Sequence, residues 1–461
     1  MKTVIEFNSF LNKLVWGVPT QILLLGVGIL LMITSGFVVF RKARYIWANT
    51  FGKIFEKVKA DEGYLTPFQA VSTALAATVG TGNIAGVALA ISTGGPGALF
   101  WIWVAAIIGM STKFAEVTLA SATATHNSKG QRVGGPMYYI ERGLGFKGLA
   151  KAFALFGGLA CFGIGCMTQS NSISSTLKST FNINTTVSGI IIAILLAFVL
   201  IGGVKRIGNV AEKIVPFMAL FYIVGGLVVI IIERKALPGA LSLIFKSAFT
   251  SQAAVGGFAG ASLGLAMRSG FSRGIFTNEA GLGSAPIAHA ASQIDHPVRQ
   301  GMWAVFEVFM DTLVVCTITG LVVIISGLWT SGEVQGAEMT IKAFETGFKG
   351  ARYIVSIGLT LFAFTTILGW SYYGEKCNEY LFGREIGIPF RVLYIVMAFV
   401  GSIGGLQAIW SITDTLNGMM AIPNLIGLVF LYKPFKNLVK DFFKDPDRDF
   451  SGRDYMEFFK K

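Results

Sequence analysis

The sequence predicts an all-α polytopic membrane protein with about eleven transmembrane helices, two of them discontinuous. Three observations predict this fold class. The chain of 461 residues is 53% hydrophobic and only 14% charged, whereas soluble domains carry about 25% charged residues. Apolar runs long enough to cross a hydrocarbon core of about 30 Å recur along the chain. Two of these runs are interrupted by stretches rich in glycine and polar residues.

Eleven apolar stretches have transmembrane length. They lie at approximately 18–40, 66–93, 97–124, 150–177, 187–203, 211–232, 253–290, 300–329, 352–373, 390–408 and 411–432. The first is longer than the apolar core of a signal peptide and lacks a following cleavage site, so we expect it in the mature protein. The four cysteines lie in or at the end of these runs without metal-ligand spacing, which indicates packing.

The ten spans after the first divide into five plus five. Because five is odd, the second set begins on the opposite side of the membrane, as an inverted repeat requires. We predict an extra N-terminal helix and basic loop at 1–65, a first repeat at 66–232, a second repeat at 233–432 and a basic tail at 433–461.

Each repeat opens with an interrupted helix, and the two interruptions fall at matching positions. The first contains Gly80, Thr81, Gly82 and Asn83, and the second lies within "MRSGFSRGIFTNEAGLGSAP" at 267–286. Glycines that merely allow close helix packing are the alternative. Since polar side chains accompany both glycine clusters, we favour two broken helices of the kind that form transporter sites at the bilayer midplane.

The distribution of basic residues predicts the orientation. Most of the 38 Lys and Arg fall on one side if residues 41–65 are cytoplasmic, which obeys the positive-inside rule. We therefore expect a multi-pass protein of the cell membrane with its N-terminus outside and its C-terminus in the cytoplasm. The net charge of +13 then reflects topology and affinity for anionic lipid, and we predict no nucleic-acid partner. The sequence leaves the oligomeric state open.

The first interruption also resembles a dinucleotide-binding fingerprint, but its context excludes that reading. Such a motif needs a preceding strand and an acidic residue about 20 positions later, whereas the next carboxylate after Gly82 is Glu116 on the following span. Walker A, zincin and nucleophile-elbow motifs do not occur. We therefore do not expect an enzyme.

An unwound helix frees backbone groups that suit two kinds of ligand. The freed N–H groups at the start of the second half-helix favour a carboxylate, and the freed C=O groups at the end of the first half favour a small cation. We assign the amides of Gly80, Thr81 and Gly82 to a carboxylate, with Thr78 and Asn83 beside them. The carbonyl oxygens of the first half-helix are assigned to a cation.

A cation needs more oxygens than one break supplies. The span at 352–373 carries the adjacent pair Thr365 and Thr366, whose hydroxyls and the Phe362 carbonyl complete a cage without formal charge, suited to a monovalent ion. The alternative is that both hydroxyls bond back to their own helix.

The two runs "GTGNIAGVA" at 80–88 and "GIFTNEAGLGSAP" at 274–286 resemble the signature of the alanine/glycine:cation symporter (AGCS) family, and the similarity extends over about 66–432. The resemblance implies the LeuT-type five-plus-five fold, Na⁺ as the co-transported ion, and import of alanine or glycine. It also guides the choice of Ala76, Val79, Phe362, Thr365 and Thr366 as Na⁺ ligands. It leaves a second sodium site open.

A zwitterionic substrate also needs acceptors for its ammonium group. Gln169 and Asn171, and freed carbonyls near Phe276 and Thr277, are our candidates, because such polar groups are costly in a span unless they line a cavity. Trp370 lies one helical turn beyond Thr366 and is expected to cap the pocket with Phe276. A tryptophan at the membrane interface is the alternative.

Several charged residues lie within the spans. Lys113 and Glu116, three positions apart, are expected to form a buried structural ion pair. Glu307, Asp311 and Asp414 have no assigned role. Three charged residues flank the second break: Arg268, Arg273 and Glu279. They could form a gate, or the two arginine side chains could extend to the membrane interface.

The leading functional hypothesis is a sodium-coupled symporter for small neutral amino acids that works by alternating access. A proton-coupled transporter of the same fold is the first alternative. An amino-acid-gated channel or receptor is the second, although no filter-like repeat of the kind found in pores occurs.

Overall fold

A computed structural model describes residues 2–54, 56, 58–251, 262–332, 334–404, 407–450 and 452–460. Most of these residues are helical, and the one sheet among them pairs the two-residue strands Thr125–His126 and Arg132–Val133 in antiparallel register. The beginning of the predicted seventh span, 253–261, lies outside the described residues.

The helices follow the same order in the two predicted repeats. Before them come Lys2–Val15, Val18–Thr34, Val38–Arg41 and Ala43–Ala48. The first five-span segment comprises Pro67–Thr78, the π-helical turn Gly82–Gly86, Val87–Gly94, Gly97–Ala122, Pro136–Leu144, Lys147–Phe162, the π-helical turn Gly163–Met167, Thr168–Phe181, Thr185–Leu200 and Gly203–Ile232. The second comprises Leu263–Asn278, Ala285–His289, Pro297–Val308, the π-helical segment Phe309–Cys316, Thr317–Ser326, Gly336–Gly347, Arg352–Phe382, Gly387–Ile403 and Gln407–Phe430.

Short helices occupy equivalent places in both segments. Pro136–Leu144 and Gly336–Gly347 each stand between the second and third spans of their segment. Leu237–Phe249 follows the first segment, and Tyr432–Lys444 follows the second. This order, with two discontinuous helices and one extra N-terminal span, is the predicted five-plus-five LeuT-type fold, while the exact repeat boundaries stay predictions.

Span length separates two of the eleven predicted spans from the rest. Among the described residues, seven helices are long and apolar enough to cross a membrane, or nine if each sharply bent pair counts as one span. Thr185–Leu200 has 16 residues, or about 24 Å at 1.5 Å per residue, and is shorter than the hydrocarbon core. The second broken helix also falls short, because its break divides it into two brief pieces.

The first broken helix comprises Pro67–Thr78 and Gly82–Gly94, which meet at an angle of 51°. A capping box starts it: the Thr66 hydroxyl accepts from the Gln69 amide, and the Gln69 side chain accepts from the Thr66 amide. Regular helix ends at Val79, whose ψ of 94° is extended. The backbone therefore unwinds where the sequence places its first glycine cluster.

The second broken helix comprises Leu263–Asn278 and Ala285–His289. Glu279 has a φ of 55°, and Gly281 and Gly283 have φ of 91° and 82°. Glycine adopts such left-handed angles without steric cost, whereas a side chain there is strained. The run "NEAGLGS" thus produces the predicted second break at 279–284.

A buried ion pair connects the two breaks. Lys113, on the long helix Gly97–Ala122, donates to Glu307 Oε1 at 2.6 Å and to the Asn278 carbonyl at 2.5 Å. Glu307 also accepts from the Thr78 hydroxyl at 3.3 Å, and its other oxygen lies 3.0 Å from His289 Nε2. Asn278 ends the first half of one broken helix and Thr78 that of the other, so a single carboxylate and a single ammonium hold both.

The predicted ion pair between Lys113 and Glu116 is therefore wrong. Glu116 instead accepts from the Asn424 side-chain amide. The Lys113 ammonium extends toward the second break because a full carboxylate and an unpaired helix-terminal carbonyl both lie there. Sequence spacing shows only which residues share a helix face, and the neighbouring helix supplies the stronger partner.

The C-terminal tail folds back onto the protein. Asp441, on the helix Tyr432–Lys444, pairs with Arg448 and Arg453 at 2.5 and 2.6 Å. It also lies 3.4 Å from Nε2 of the buried His296, which precedes the helix Pro297–Val308. The His296 ring contacts Phe450 at a centroid distance of 4.6 Å. The tail is thus a docked element as well as a basic segment.

Removing the Lys113 ammonium is expected to destabilise the fold strongly. Lys113→Met leaves the Glu307 charge buried without its partner, which costs about 3–5 kcal/mol. Thermal unfolding of the purified protein in detergent measures the loss, and Lys113→Met/Glu307→Gln should recover part of it. As a control, Lys342→Met breaks only the exposed pair with Glu338 and is expected to change stability by less than about 1 kcal/mol. A Lys113→Met protein as stable as the parent would contradict this account.

Tail docking is expected to weaken in acid. Burial lowers the pKa of His296 to about 4, against the opposing effects of Asp441 and Asp295 and with a small further lowering by Arg453. An undocked His296 titrates near pH 6.5. Between pH 6.5 and 4 only the undocked form binds the proton, so docking is complete above this window and is lost as the pH falls through it. Burial also raises the pKa of Asp441, but Arg448 and Arg453 lower it overall, so this carboxylate stays charged in the window.

Hydrogen exchange of residues 432–450 at several pH values measures this docking. His296→Phe keeps an aromatic ring between Phe442 and Phe450 and removes the titrating group, so its protection should be insensitive to pH over the same window. Equal protection of the parent protein at pH 7 and pH 4.5 would disprove the role of His296.

Candidate functional site

The two breaks and three further helices enclose a cavity in the interior of the molecule. Those helices are Lys147–Phe181, Arg352–Phe382 and Gln407–Phe430. The predicted residues that line the cavity are Thr78, Gly80, Thr81, Gly82, Gln169, Phe276, Thr277, Thr366 and Trp370. Four lining residues were not predicted as binding residues: Ala77, Ile164, Glu279 and Asn417. The structure therefore brings most of the predicted residues to one place.

The amides of the first break are not equally available. The Gly80 N–H donates to the side-chain oxygen of Asn83 at 2.9 Å, so it already has a partner. Thr81 and Gly82 begin the second half-helix, and both residues line the cavity at the positive end of that helix. The predicted carboxylate site thus centres on Thr81 and Gly82, with Gly80 as its support.

Asn83 is fully buried behind the cavity and joins the break to a neighbouring span. Its side-chain amide donates to Asp311 Oδ1 at 2.6 Å and to the Asp311 carbonyl at 3.1 Å. Asp311 lies in the π-helical segment Phe309–Cys316 and also accepts from the Thr312 hydroxyl at 2.7 Å. Asn83 and Asp311 therefore fix the shape of the break from behind it.

Carbonyl and hydroxyl oxygens meet beside the first break. The Thr366 hydroxyl lies 3.4 Å from the Val79 carbonyl and 2.9 Å from the Phe362 carbonyl. The Thr365 hydroxyl lies 3.0 Å from the same Phe362 carbonyl. Ala76 is buried in the last turn of the first half-helix, one turn before Val79. The Thr366 hydroxyl bonds back to its own helix and also contacts the break, whereas the Thr365 hydroxyl bonds back to its own helix and lies 3.3 Å from Met218 Sδ. The cation cage stays a prediction.

Close helix packing creates this oxygen cluster. A Cβ atom on Gly80 would lie 2.6 Å from the Thr366 hydroxyl oxygen, and one on Gly369 would lie 2.6 Å from the Ala77 Cβ. Any larger residue at these positions would separate the two helices. Glycine on each helix thus brings Thr366 to the unwound backbone.

Two unpaired side-chain oxygens lie at the cavity. Gln169 Oε1 and Asn417 Oδ1 have no hydrogen-bond partner among the described residues, although both side chains are buried. A buried acceptor without a donor costs about 1–3 kcal/mol. Each therefore offers an acceptor to a ligand ammonium group. Asn417 could have been found from the sequence as an amide in the apolar span at 411–432, three residues after Asp414.

The structure does not bring Asn171 to the cavity. Its amide donates to the Gly401 carbonyl at 3.3 Å, on the helix Gly387–Ile403. Residues two apart on an α-helix point about 200° from each other, so Gln169 and Asn171 face opposite ways. Helix geometry alone allows only one of the two amides to face the cavity.

Trp370 and Phe276 form the apolar walls of the cavity. Trp370 is 3% exposed and its indole N–H donates to Glu279 Oε1 at 3.1 Å, so it lies in the interior and away from a membrane interface. A Cβ atom on Gly82 would lie 3.5 Å from the Phe276 ring. These two rings restrict the volume available to a ligand side chain.

The charge arrangement of the cavity suits a zwitterion. Backbone amides at the first break form its electropositive part. The Glu279 side chain and the free oxygens of Gln169 and Asn417 form its electronegative part. Small apolar and aromatic residues fill the space between them. A ligand with a carboxylate, an ammonium and a short side chain matches these surroundings.

Comparison with known proteins identifies the family of the chain. The model of the sodium:alanine symporter family matches residues 1–454. The sodium/alanine symporter AgcS of Methanococcus maripaludis is 48% identical over 434 residues, covering 93% of this chain and 94% of that protein. An uncharacterized transporter of Haemophilus influenzae is 47% identical over 446 residues, covering 96% of this chain and 97% of the relative.

A solved structure shares the fold at low sequence identity. A Na⁺-coupled sialic acid symporter, solved in a substrate-bound outward-open state, superposes with a TM-score of 0.50 and 11% identity over 92% of this chain and 86% of the other. The relatives are named as transporters, which confirms the expectation of a transporter rather than an enzyme. The chain is a multi-pass membrane protein that belongs to the sodium:alanine symporter family.

Proposed function

We propose that this protein is a sodium-coupled symporter that imports alanine and glycine by alternating access. The observation that carries the proposal is the contact of the Thr366 hydroxyl with the Val79 carbonyl at 3.4 Å, two residues before Thr81, which lines the cavity. A cation site and a carboxylate site thus share one unwound segment. The family of the chain, and the name of its relative from Methanococcus maripaludis, support sodium and alanine as ion and substrate.

Sodium is the ion that the oxygen cluster favours. The proposed ligands are the carbonyl oxygens of three residues and the hydroxyls of two: Ala76, Val79 and Phe362, and Thr365 and Thr366. None of these five oxygens carries a formal charge, so the cluster favours a monovalent cation over calcium. To bind Na⁺, the two hydroxyls would turn their oxygen lone pairs to the ion and point their O–H bonds away from it.

Coupling follows from the shortness of the break. A cation held by the Val79 carbonyl fixes the orientation of the peptide groups that follow it, including the amides of Thr81 and Gly82. Those amides are then aligned to receive the substrate carboxylate, while Gln169, Asn417 and Glu279 receive its ammonium. Occupation of one site lowers the entropic cost of ordering the other, and linkage makes this effect reciprocal.

Small substrates are favoured by the aromatic walls. Phe276 and Trp370 stand beside the position that a substrate side chain would occupy. We expect the site to accept a methyl group or a hydrogen beside these rings, whereas a branched side chain would displace a ring from its packed position. Alanine and glycine are accordingly the proposed substrates.

Alternating access would use the two broken helices as hinges. The half-helices Pro67–Thr78 and Ala285–His289 lead to one face of the molecule, and Gly82–Gly94 and Leu263–Asn278 lead to the other. We propose that the protein resides in the plasma membrane. The distribution of basic residues predicts that the first pair of half-helices faces the cytoplasm. The N-terminus is then outside and the docked tail inside.

Uptake by reconstituted vesicles is expected to require an inward sodium gradient. Purified protein in liposomes is given a gradient of Na⁺, of H⁺ or of neither, and accumulation of labelled alanine is measured with glycine and serine as competitors. Symport predicts accumulation with Na⁺ alone and competition by glycine. Accumulation driven equally by a proton gradient without sodium would favour the proton-coupled alternative, and alanine-dependent ion flux that does not accumulate alanine would favour a channel.

Substitutions at the oxygen cluster are expected to lower the affinity for sodium selectively. Thr366→Ala removes one proposed ligand, and Gly80→Ala places a methyl group 2.6 Å from the same hydroxyl oxygen. Loss of one hydrogen-bond-strength contact to an ion, about 1.5–3 kcal/mol, corresponds to a roughly 10- to 100-fold rise in the Na⁺ concentration for half-maximal uptake. Thr365→Ala is expected to act in the same direction.

Gly86→Ala is the matched control, because a Cβ atom at this position would meet only Arg273 Cδ at 3.7 Å, an ordinary contact. Its sodium dependence should equal that of the parent. Unchanged sodium affinity in both Thr365→Ala and Thr366→Ala would remove the two hydroxyls from the site.

A further inference from the structure

The N-terminal helix Lys2–Val15 is attached to the last transmembrane helix by polar contacts. The Asn8 side-chain amide donates to the Ser411 hydroxyl at 2.8 Å. The Asn12 amide donates to Asp414 Oδ2 at 2.8 Å. Asn8 and Asn12 are four residues apart and therefore share one helix face. An amphipathic helix that merely rests in the lipid interface would have no need of such directed contacts to a neighbouring span.

The opposite face of this helix meets the surroundings of the protein. Phe7 and Phe10 are 62% and 64% exposed, and both are apolar. This face has the composition expected next to lipid acyl chains. The helix thus presents its amides to the protein and its large apolar side chains to the bilayer, so the contacts with the last span determine where it lies.

Trp16, directly after this helix, reaches the wall of the substrate cavity. Its indole N–H donates to the Asp414 carbonyl at 3.1 Å. Its ring lies 5.9 Å from the Phe276 ring, centroid to centroid. A Cβ atom on Gly418 would lie 3.0 Å from Trp16 Cε2, and the preceding residue, Asn417, carries one of the unpaired cavity oxygens.

Phe276 is also in contact with a charged group. The Arg273 guanidinium lies 5.6 Å from the centre of the Phe276 ring, a distance at which a cation and an aromatic ring attract each other. Arg273 and Asp414 are also close enough for their charges to interact. The N-terminal helix, the last span and the second broken helix therefore converge on one aromatic ring of the cavity.

We propose that Trp16, fixed by Asn12 and Asp414, is a positioning residue that holds Phe276 over the substrate site and thereby sets the largest side chain the site accepts. The three residues Asn12, Trp16 and Asp414 are called the latch below. The inference rests on the proposed transport function, since it specifies the size selectivity of the same cavity. It gives the extra N-terminal helix a direct part in substrate selection.

The latch acts through packing. With Trp16 in place, the Phe276 ring is confined between the indole, the Arg273 guanidinium and the backbone of Gly82. Without the indole, the ring gains space on the side away from the cavity and can retreat from the substrate. A retreating ring weakens contact with the methyl group of alanine and makes room for a branched side chain.

The first test measures size selectivity in reconstituted full-length protein. Loss of one aromatic pair is expected to raise the alanine KM of Trp16→Ala about three- to tenfold, with a smaller change in kcat. Competition by valine relative to glycine should rise by a similar factor. Trp16→Phe should restore most of the selectivity, and Asn12→Ala should shift it in the same direction as Trp16→Ala. Phe10→Ala, on the apolar outer face of the same helix, is the matched control and should resemble the parent.

The second test does not depend on transport. Thr81→Cys places a thiol at the cavity. The four native cysteines are all buried, and none of them lines the cavity. Its rate of reaction with a membrane-impermeant maleimide, applied from the side of the N-terminus, is compared with and without Trp16→Ala. The latch predicts faster labelling when Trp16 is absent and no change with Phe10→Ala.

The two tests separate the failure of the latch from the failure of the transport function. If the parent protein does not move alanine with sodium but Trp16→Ala still accelerates labelling, the proposed function is wrong and the latch stands. If Trp16→Ala and Trp16→Phe, each eluting as a folded species in size-exclusion chromatography, match Phe10→Ala in both labelling rate and valine competition, the latch is overturned.

Discussion

The buried ion pair between Lys113 and Glu307 is the interaction on which the site depends. Unwound backbone inside a membrane has no water to satisfy its polar groups, so other parts of the protein must do so. The ammonium satisfies the last carbonyl of one half-helix at Asn278, and the carboxylate accepts from Thr78 at the end of the other. Both charged groups are completely buried. Removal of either one would leave the other with a desolvation cost that no partner offsets.

The buried ion pair also limits the movement of the backbone around the cavity. Because the ends of both first half-helices are fixed, the remaining freedom of each break lies in the few residues that follow. At the first break these are 79–82, and Asn83 secures their far side to Asp311. The carbonyl proposed to bind the cation and the amides proposed to bind the carboxylate therefore belong to a segment too short to bend at one end alone. Tight coupling between two ligands in the proposed symport would arise from this shortness.

Elements outside the ten-span core cover both faces of the molecule. At one face the N-terminal helix and Trp16 meet the second broken helix and the last span. At the other, the C-terminal tail docks on His296, at the start of the span that carries Glu307. In the proposed alternating access, each element contacts a helix next to one of the two breaks. Both termini thus add contacts to helices beside the cavity.

Local chemistry made much of the fold predictable. Composition, span length and the two glycine clusters depend on properties of single segments, and they led to the polytopic helical class, the broken helices and their matching order. The same holds for Thr366, Gly80 and Trp370, since polar or small residues in an apolar span indicate a cavity wherever that span packs. Even the opposite faces of Gln169 and Asn171 follow from helix geometry, although the choice between them does not.

The partners of the charged residues could not be predicted in this way. Lys113 has an acidic residue three positions away, yet it pairs with Glu307 on another span, and Gly80 has its amide occupied by Asn83. Trp16 and Asn417 lie about 400 positions apart in the chain and border the same small region. By itself the sequence determined the polytopic helical class and the two places where helices unwind, because these depend on local composition. Only the tertiary structure decided which charge, amide and ring meet, because those contacts are selected by the packing of helices distant in the chain.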